Sequence, residues 1–248
     1  MKRILIVVAA ACLVAGACGS SSKSTRPVTV FAAASLTEAF NAAKGELGTQ
    51  AKLAPTYNFA GSQVLVQQIT EGSPADVFAA ADEKNMQKLV DANLVETPKV
   101  FARNTLEIAV PPGNPKNIGS LADLEKPGVV LVLADTSVPA GNYARQAFQK
   151  AGLPAPRPKS LELDVKSVLA KLTAGDADAG IVYSTDVKAA SDNVQGVPIP
   201  EAQNVIATYP VAVVKATKHR SAAVAFVDAV VAGAGQVVLR ARGFLPPT

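Results

Sequence analysis

The sequence predicts an α/β fold, and three observations carry that expectation. Short apolar runs alternate with longer runs whose apolar residues recur at helical spacing, the order expected of strands joined by helices in largely parallel sheets. Small uncharged residues (Ser35, Ser62, Ala140-Gly141 and Val165) stand where a strand or loop pattern gives way to a helical one. The chain has 248 residues, 49% of them hydrophobic, enough to bury one large core or two of ordinary size.

The first residues stand apart from that series. Lys2 and Arg3 precede the apolar run Ile4 to Ala15, and Gly16-Ala17-Cys18 follows, so residues 1–17 read as an export signal peptide. The run is too short for a membrane span, which needs roughly 20 apolar residues. Leu13-Val14-Ala15-Gly16-Ala17-Cys18 resembles the lipobox of bacterial lipoproteins, with Ala15 where Leu is commonest; the resemblance implies that Cys18 becomes a lipidated first residue. Cys12 would leave with the signal, so the mature chain would hold no intramolecular disulfide and no thiolate metal site. Residues 18–27 then read as the lipidated cysteine and a small, polar, flexible tether ending in Pro27.

From Val28 the elements follow in order. Val28 to Ala34 is an apolar run suited to a buried strand, and Leu36, Ala39, Phe40, Ala43 and Leu47 share one helical face. Tyr57 to Gly61 leads into a helix over Ser62–Glu71, Val77 to Ala80 is a strand, and Glu83–Asp91 is a helix. Leu106 to Val110 is a strand, closed by the proline-rich loop Pro111-Pro112-Gly113-Asn114-Pro115. Val129 to Ala134 (strand) and Gly141 to Ala151 (helix) precede a second proline-rich loop, Gly152 to Pro158. Val165–Gly175 (helix), Ala179–Tyr183 (strand), Val211–Val214 (strand) and Ala222–Ala232 (helix) complete the series.

Composition removes several function classes. The net charge of +4 falls to +2 once Lys2 and Arg3 leave with the signal, basic residues are scattered and aromatics are 5%, so there is no nucleic-acid surface. Neither a Walker A loop nor a dinucleotide-binding glycine fingerprint occurs. His219 is the only histidine and lies in the polar stretch Lys215 to Arg220, which reads as surface and leaves a hydrolytic triad without its base. Asp176-Ala177-Asp178-Ala179-Gly180 faintly resembles a calcium loop but carries Val187 where the bidentate Glu belongs.

What remains is a set of helix starts. A first helical turn leaves N–H groups unpaired and carries partial positive charge, so several such ends facing one crevice can bind an anion without Arg or Lys. Ser35, Ser62, Ala140 and Val165 are the candidates. Some residues at these sites have plainer readings: Ser35, Ser62 and Asp164 as ordinary N-caps, and Tyr183 at its strand end as a half-buried packing residue.

Taken together, Val30-Phe31-Ala32-Ala33-Ala34-Ser35-Leu36, Asn58-Phe59-Ala60-Gly61-Ser62, Pro74-Ala75-Asp76-Val77-Phe78 with Ala81-Asp82, Ser137-Val138-Pro139-Ala140-Gly141, Ala179-Gly180-Ile181-Val182-Tyr183 and Tyr209-Pro210-Val211-Ala212-Val213 are more specific than any single serine. In this order they resemble the periplasmic molybdate-binding proteins of bacterial ABC importers, from about Val28 to Phe244. The resemblance implies two α/β lobes joined by two crossings, with the ligand in the cleft. With crossings near Arg103-Asn104 and Thr208, lobe 1 comprises residues 28–103 plus 208–248 and lobe 2 residues 104–207. It further implies that Ser35 and Ser62 donate from hydroxyl and backbone, Ala140 and Val165 from backbone N–H, and Tyr183 from its hydroxyl. Gly61 is a departure, since some relatives carry a serine there.

The implied ligand is molybdate, with tungstate as a co-ligand. Molybdenum would be held as its oxyanion, with no protein-metal ligands and no cofactor. The protein would be a monomer, anchored by lipid on the extracytoplasmic side of the cell membrane, delivering to a permease and its ATPase; no enzymatic step is expected. A fully deprotonated dianion suits an all-donor site. Hydrogen phosphate carries a proton that needs an acceptor, and Asp164 turned inward could supply one. The rival readings are the same fold holding sulfate, thiosulfate or phosphate, a ferric-binding member, disfavoured because the four tyrosines are isolated in sequence, a serine-dependent hydrolase or sulfur-transfer enzyme, and an oxyanion sensor.

Overall fold

In the computed structural model, which describes residues 25–248, the chain enters its fold at strand β1 (Arg26–Ala33). The signal peptide and Cys18 lie outside the described residues. A single 3-10 turn (Ala34–Leu36) leads into α1 (Thr37–Gln50), followed by β2 (Leu53–Ala60), α2 (Ser62–Thr70), β3 (Val77–Ala79), α3 (Glu83–Asp91) and β4 (Lys99–Val110). After a second 3-10 turn (Leu121–Glu125) come β5 (Leu131–Ala134), α4 (Pro139–Lys150), β6 (Ser160–Glu162), α5 (Val165–Thr173), β7 (Ala179–Tyr183), α6 (Ser184–Ala189) and β8 (Gln195–Pro198). The chain closes with β9 (Ile206–Val213), α7 (Arg220–Val231) and α8 (Ala234–Ala241).

The strands run in the order β2-β1-β3-β9-β4-β7-β5-β6, with β8 also pairing β4. The result is a two-lobed α/β fold. One lobe is built on β2, β1 and β3 and the other on β7, β5, β6 and β8, while β4 and β9 run between them. Pairing is parallel for β1 with β2 and β3, and for β5 with β6 and β7. Every pairing of β4 or β9 is antiparallel, so the sheet is mixed rather than largely parallel. The reason is topological: the chain leaves along β4 and returns along β9, and two strands running opposite ways pair antiparallel without a crossover helix. In that ladder Arg103 faces Thr208 and Asn104 faces Ala207.

β1 shows why its sequence reads as an unbroken apolar run. Val28, Val30 and Ala32 pack into the main core with Phe40 and Leu47 of α1, while Phe31 points the other way, into a second cluster with Leu65, Ile69, Phe78 and Leu89. A strand buried on both faces loses its polar alternation. The strand begins earlier than expected, because the Arg26 N–H donates to Lys52 O at 2.8 Å and Arg26 and Pro27 pair with Leu53 and Ala54. The expected tether therefore ends before Arg26: a polar composition does not stop a strand to which a neighbour offers a ladder.

Asn104, wholly buried, fastens the crossing to the second lobe. It donates to Thr185 Oγ1 at 2.8 Å and accepts from Ser184 Oγ at 2.9 Å.

Candidate functional site

All five nominated residues line one pocket between the lobes. Ser35, Ser62, Ala140, Val165 and Tyr183 share it with Ala33, Ala34, Gly61, Ala81, Val138, Pro139 and Asp164, around about 200 Å³ of atom-free space, its mouth included. The lining holds no Lys, Arg or His.

The first lobe contributes two serines. Ser35 lies inside the 3-10 turn rather than before α1, and its hydroxyl caps nothing: Oγ is 3.0 Å from the hydroxyl of Tyr209. Ser62 is the first residue of α2, with Gly61 in the capping position, and its Oγ accepts the Ala81 N–H at 3.1 Å. Neither serine is therefore an ordinary N-cap. A hydroxyl that accepts one hydrogen bond still has its proton to give, and Ser62 has the pocket in front of it.

The second lobe contributes helix starts and a phenol. Pro139 occupies the first position of α4, where a missing N–H costs nothing, so Ala140 presents an early free N–H of that helix. Gly141 permits this approach, since a Cβ there would lie 2.1 Å from Asp135 O and 2.2 Å from Ala134 O. Val165 is the first residue of α5, and Asp164 caps that helix as expected, accepting from Ser167 N at 2.8 Å and Ser167 Oγ at 3.2 Å. Its carboxylate is thus committed to its own helix rather than turned inward as an acceptor.

Tyr183 is 1% exposed, not half-buried, and its hydroxyl has no hydrogen-bond partner. A buried donor left unpaired is costly, and this one belongs to a residue that lines the pocket. Burial pushes the Tyr183 phenol well above its ordinary value and raises that of Tyr209 as well, so both remain protonated donors. The two rings, distant in sequence, meet edge to face with centroids 5.7 Å apart. Isolation in sequence is therefore not isolation in space, and the spacing argument against a ferric site does not hold for this pair.

Several contributors carry no local signal. Tyr209 supports Ser35 from the returning strand. Gln63 Nε2 donates to Leu163 O at 2.8 Å, from one lobe to the other. Lys166 Nζ lies 2.6 Å from Glu38 Oε2 and 2.8 Å from Asp186 Oδ1, so the cation next to Val165 is engaged by two carboxylates. Gly61 has no room for a side chain here, because a Cβ would meet Leu163 O at 2.4 Å. His219 lies away from the pocket, half exposed, with Nδ1 3.2 Å from Asp76 Oδ2. Among the described residues no group of three or more His, Cys, Asp or Glu could hold a metal ion.

A family model described as bacterial extracellular solute-binding protein matches residues 28–245. The molybdate-binding protein ModA of Mycobacterium tuberculosis is 41% identical over 254 aligned positions, covering 96% of this chain and 95% of that protein. Among solved structures, the sulfate-binding protein SubI of M. tuberculosis aligns with a TM-score of 0.81 at 21% identity, over 89% of this chain and 87% of that one. The periplasmic molybdate-binding protein of Azotobacter vinelandii aligns with a TM-score of 0.77 at 18% identity, over 89% and 100%. At those identities the two structures speak for the fold.

Proposed function

Since this chain belongs to the bacterial extracellular solute-binding protein family, we propose that its pocket captures molybdate outside the cytoplasm and that the protein delivers it to an ABC importer. The observation that carries this reading is the unpartnered Tyr183 hydroxyl, buried in a pocket lined by helix-opening residues of both lobes and by no basic side chain.

The chemistry follows from the donors. Ser35 and Ser62 donate from hydroxyl and backbone, Ala140 and Val165 from backbone N–H, and Tyr183 from its hydroxyl. Together they surround a tetrahedral oxyanion that is acceptor at every corner. Tungstate has the same charge and shape and is accepted too. Hydrogen phosphate is rejected, because its proton finds no acceptor while Asp164 caps α5; leaving that proton unpaired costs about 1–3 kcal/mol. Sulfate is smaller and is discriminated by the spacing of the donors.

The lobes are residues 28–103 plus 208–248, extended at the front by Arg26 and Pro27, and residues 104–207. Closure brings Ser35 and Ser62 against Ala140, Val165 and Tyr183, and the closed form is what the permease recognises. Cys18 carries the lipid that keeps this monomer at the membrane, and capture, not turnover, is its task.

Calorimetric titration and thermal unfolding of protein lacking residues 1–18 test the reading, with molybdate, tungstate, sulfate and phosphate in separate runs. Molybdate and tungstate at 1,000 times their dissociation constant should stabilise the fold by about 4 kcal/mol. No response to either sinks the proposal, and a response to sulfate or phosphate alone reassigns the ligand.

A further inference from the structure

The pocket is flanked by a charged cluster that never reaches it. Glu38 follows Ser35 by three residues, Lys166 follows Val165 directly, and Asp186 follows Tyr183 by three. Asp186 Oδ2 also accepts the Tyr183 N–H at 3.2 Å. One ammonium thus connects the segments bearing three of the five donors, two from the second lobe and one from the first.

The three groups are unequal in burial. The Asp186 side chain is 1% exposed and that of Lys166 23%, while that of Glu38 is 38% exposed. A carboxylate as deeply buried as Asp186 needs its counter-ion permanently, since removing one partner of such a pair leaves an uncompensated charge. Lys166 therefore stays with the second lobe whether the cleft is open or shut. Glu38 reaches water readily and loses little when the lobes part. Of the two ion pairs, only Lys166 with Glu38 spans the cleft, and it can break without stranding a buried charge.

We propose that Lys166 is a positioning residue that latches the cleft: held by Asp186 on the second lobe, its ammonium captures Glu38 when the lobes meet and slows escape of the bound oxyanion without touching it. The inference concerns the pocket assigned above and rests on that reading for its ligand. The geometry separates it from simple attraction. An ammonium saturated by two carboxylates offers the approaching anion no net positive charge, so its contribution falls on the dissociation rate. The bond from Gln63 to Leu163 is a second, uncharged contact between the lobes, and it does not respond to salt.

The test uses Glu38→Gln, which breaks the cross-cleft pair and leaves Lys166 with Asp186. Protein lacking residues 1–18 contains no cysteine, so Gln67→Cys and Lys159→Cys, both exposed and on opposite lobes, take spin labels cleanly. Two readouts are made: the inter-lobe distance distribution with and without molybdate, and the rate at which molybdate leaves.

The expected result is dissociation faster by about two- to fivefold, with the association rate unchanged, as for a partly screened ion pair. Raised ionic strength should speed dissociation from the parent and much less from Glu38→Gln. A shift of the distance distribution toward open forms also supports the latch. Unchanged distances together with unchanged dissociation overturn it, as does an effect confined to association, which is the signature of long-range steering. If the parent takes up no molybdate, the functional reading fails separately, and the ligand-free distance distribution alone then decides the latch.

Discussion

The hydroxyls of Ser35 and Tyr209 lie 3.0 Å apart, joining residues separated by 174 positions in the chain. Ser35 is in the turn after the first strand, and Tyr209 is on the strand that returns from the second lobe. Either hydroxyl can donate in this pair; the proposed site requires Tyr209 to be the donor, which leaves the Ser35 proton for the oxyanion. Tyr209→Phe should lower molybdate affinity by about five- to thirtyfold, the cost of one misdirected donor. Calorimetric titration reads it, and unchanged affinity would show that Ser35 needs no such support.

Tyr183→Phe separates binding from stability. Its hydroxyl has no partner in the ligand-free pocket, so removing it should leave the ligand-free unfolding midpoint unchanged or slightly raised. Molybdate affinity should nevertheless fall by at least about tenfold, since a donor to a charged ligand is worth about 1.5–3 kcal/mol. A destabilised variant that binds normally would mark Tyr183 as a packing residue.

Gly61→Ser probes the closeness of the lobes. Its Cβ would stand 2.4 Å from Leu163 O, which belongs to the other lobe. The fold itself should tolerate the change, because the lobes can separate by a small rotation. Closure should not, so weaker molybdate binding with little change in the ligand-free unfolding midpoint is the expected outcome. Tighter binding would mean that the added hydroxyl serves as another donor.

The buried phenols predict a specific alkaline limit. Burial raises Tyr183 and Tyr209 above their ordinary value of 10.0. For Lys166, burial pushes down, but Asp186 and Glu38 outweigh it and carry the ammonium above 10.5. In all three the folded state holds its proton more tightly than the unfolded chain does. Their stabilisation is therefore complete below about pH 10 and is lost as pH rises beyond it. Thermal unfolding between pH 8 and 11 should show this decline, and Tyr183→Phe should make it shallower. An unchanged slope in that variant would remove Tyr183 from the account.

Much of the fold was legible because the signals were local. Glu83–Asp91 and Ala179–Tyr183 match the expected ranges residue for residue, the first because Asp82 accepts from the Asn85 N–H at its start, the second because every residue is buried. The start of β2 escaped notice because it is an edge strand in which Pro55 interrupts the pattern and exposed residues alternate with buried ones. β6, β8 and α6 are too short to show a period, and α8 begins inside the glycine-broken stretch Ala232 to Gly235.

The sequence by itself determined which backbone groups are spare. A helix start is written within a few residues, so Ser62, Ala140 and Val165 could be nominated from neighbours alone, and Ser35 from the end of its strand. Tyr183 came only from the order of shared segments, since a tyrosine at a strand end has no local mark of being unpartnered. What only the tertiary structure decided is convergence: that these residues line one pocket, that Tyr209 stands behind Ser35, that Glu38 meets Lys166 across 128 positions, and that Leu163 leaves Gly61 no side chain. Those relations depend on how the two lobes pack across β4 and β9, and packing between distant segments leaves no periodicity in the chain for either to display.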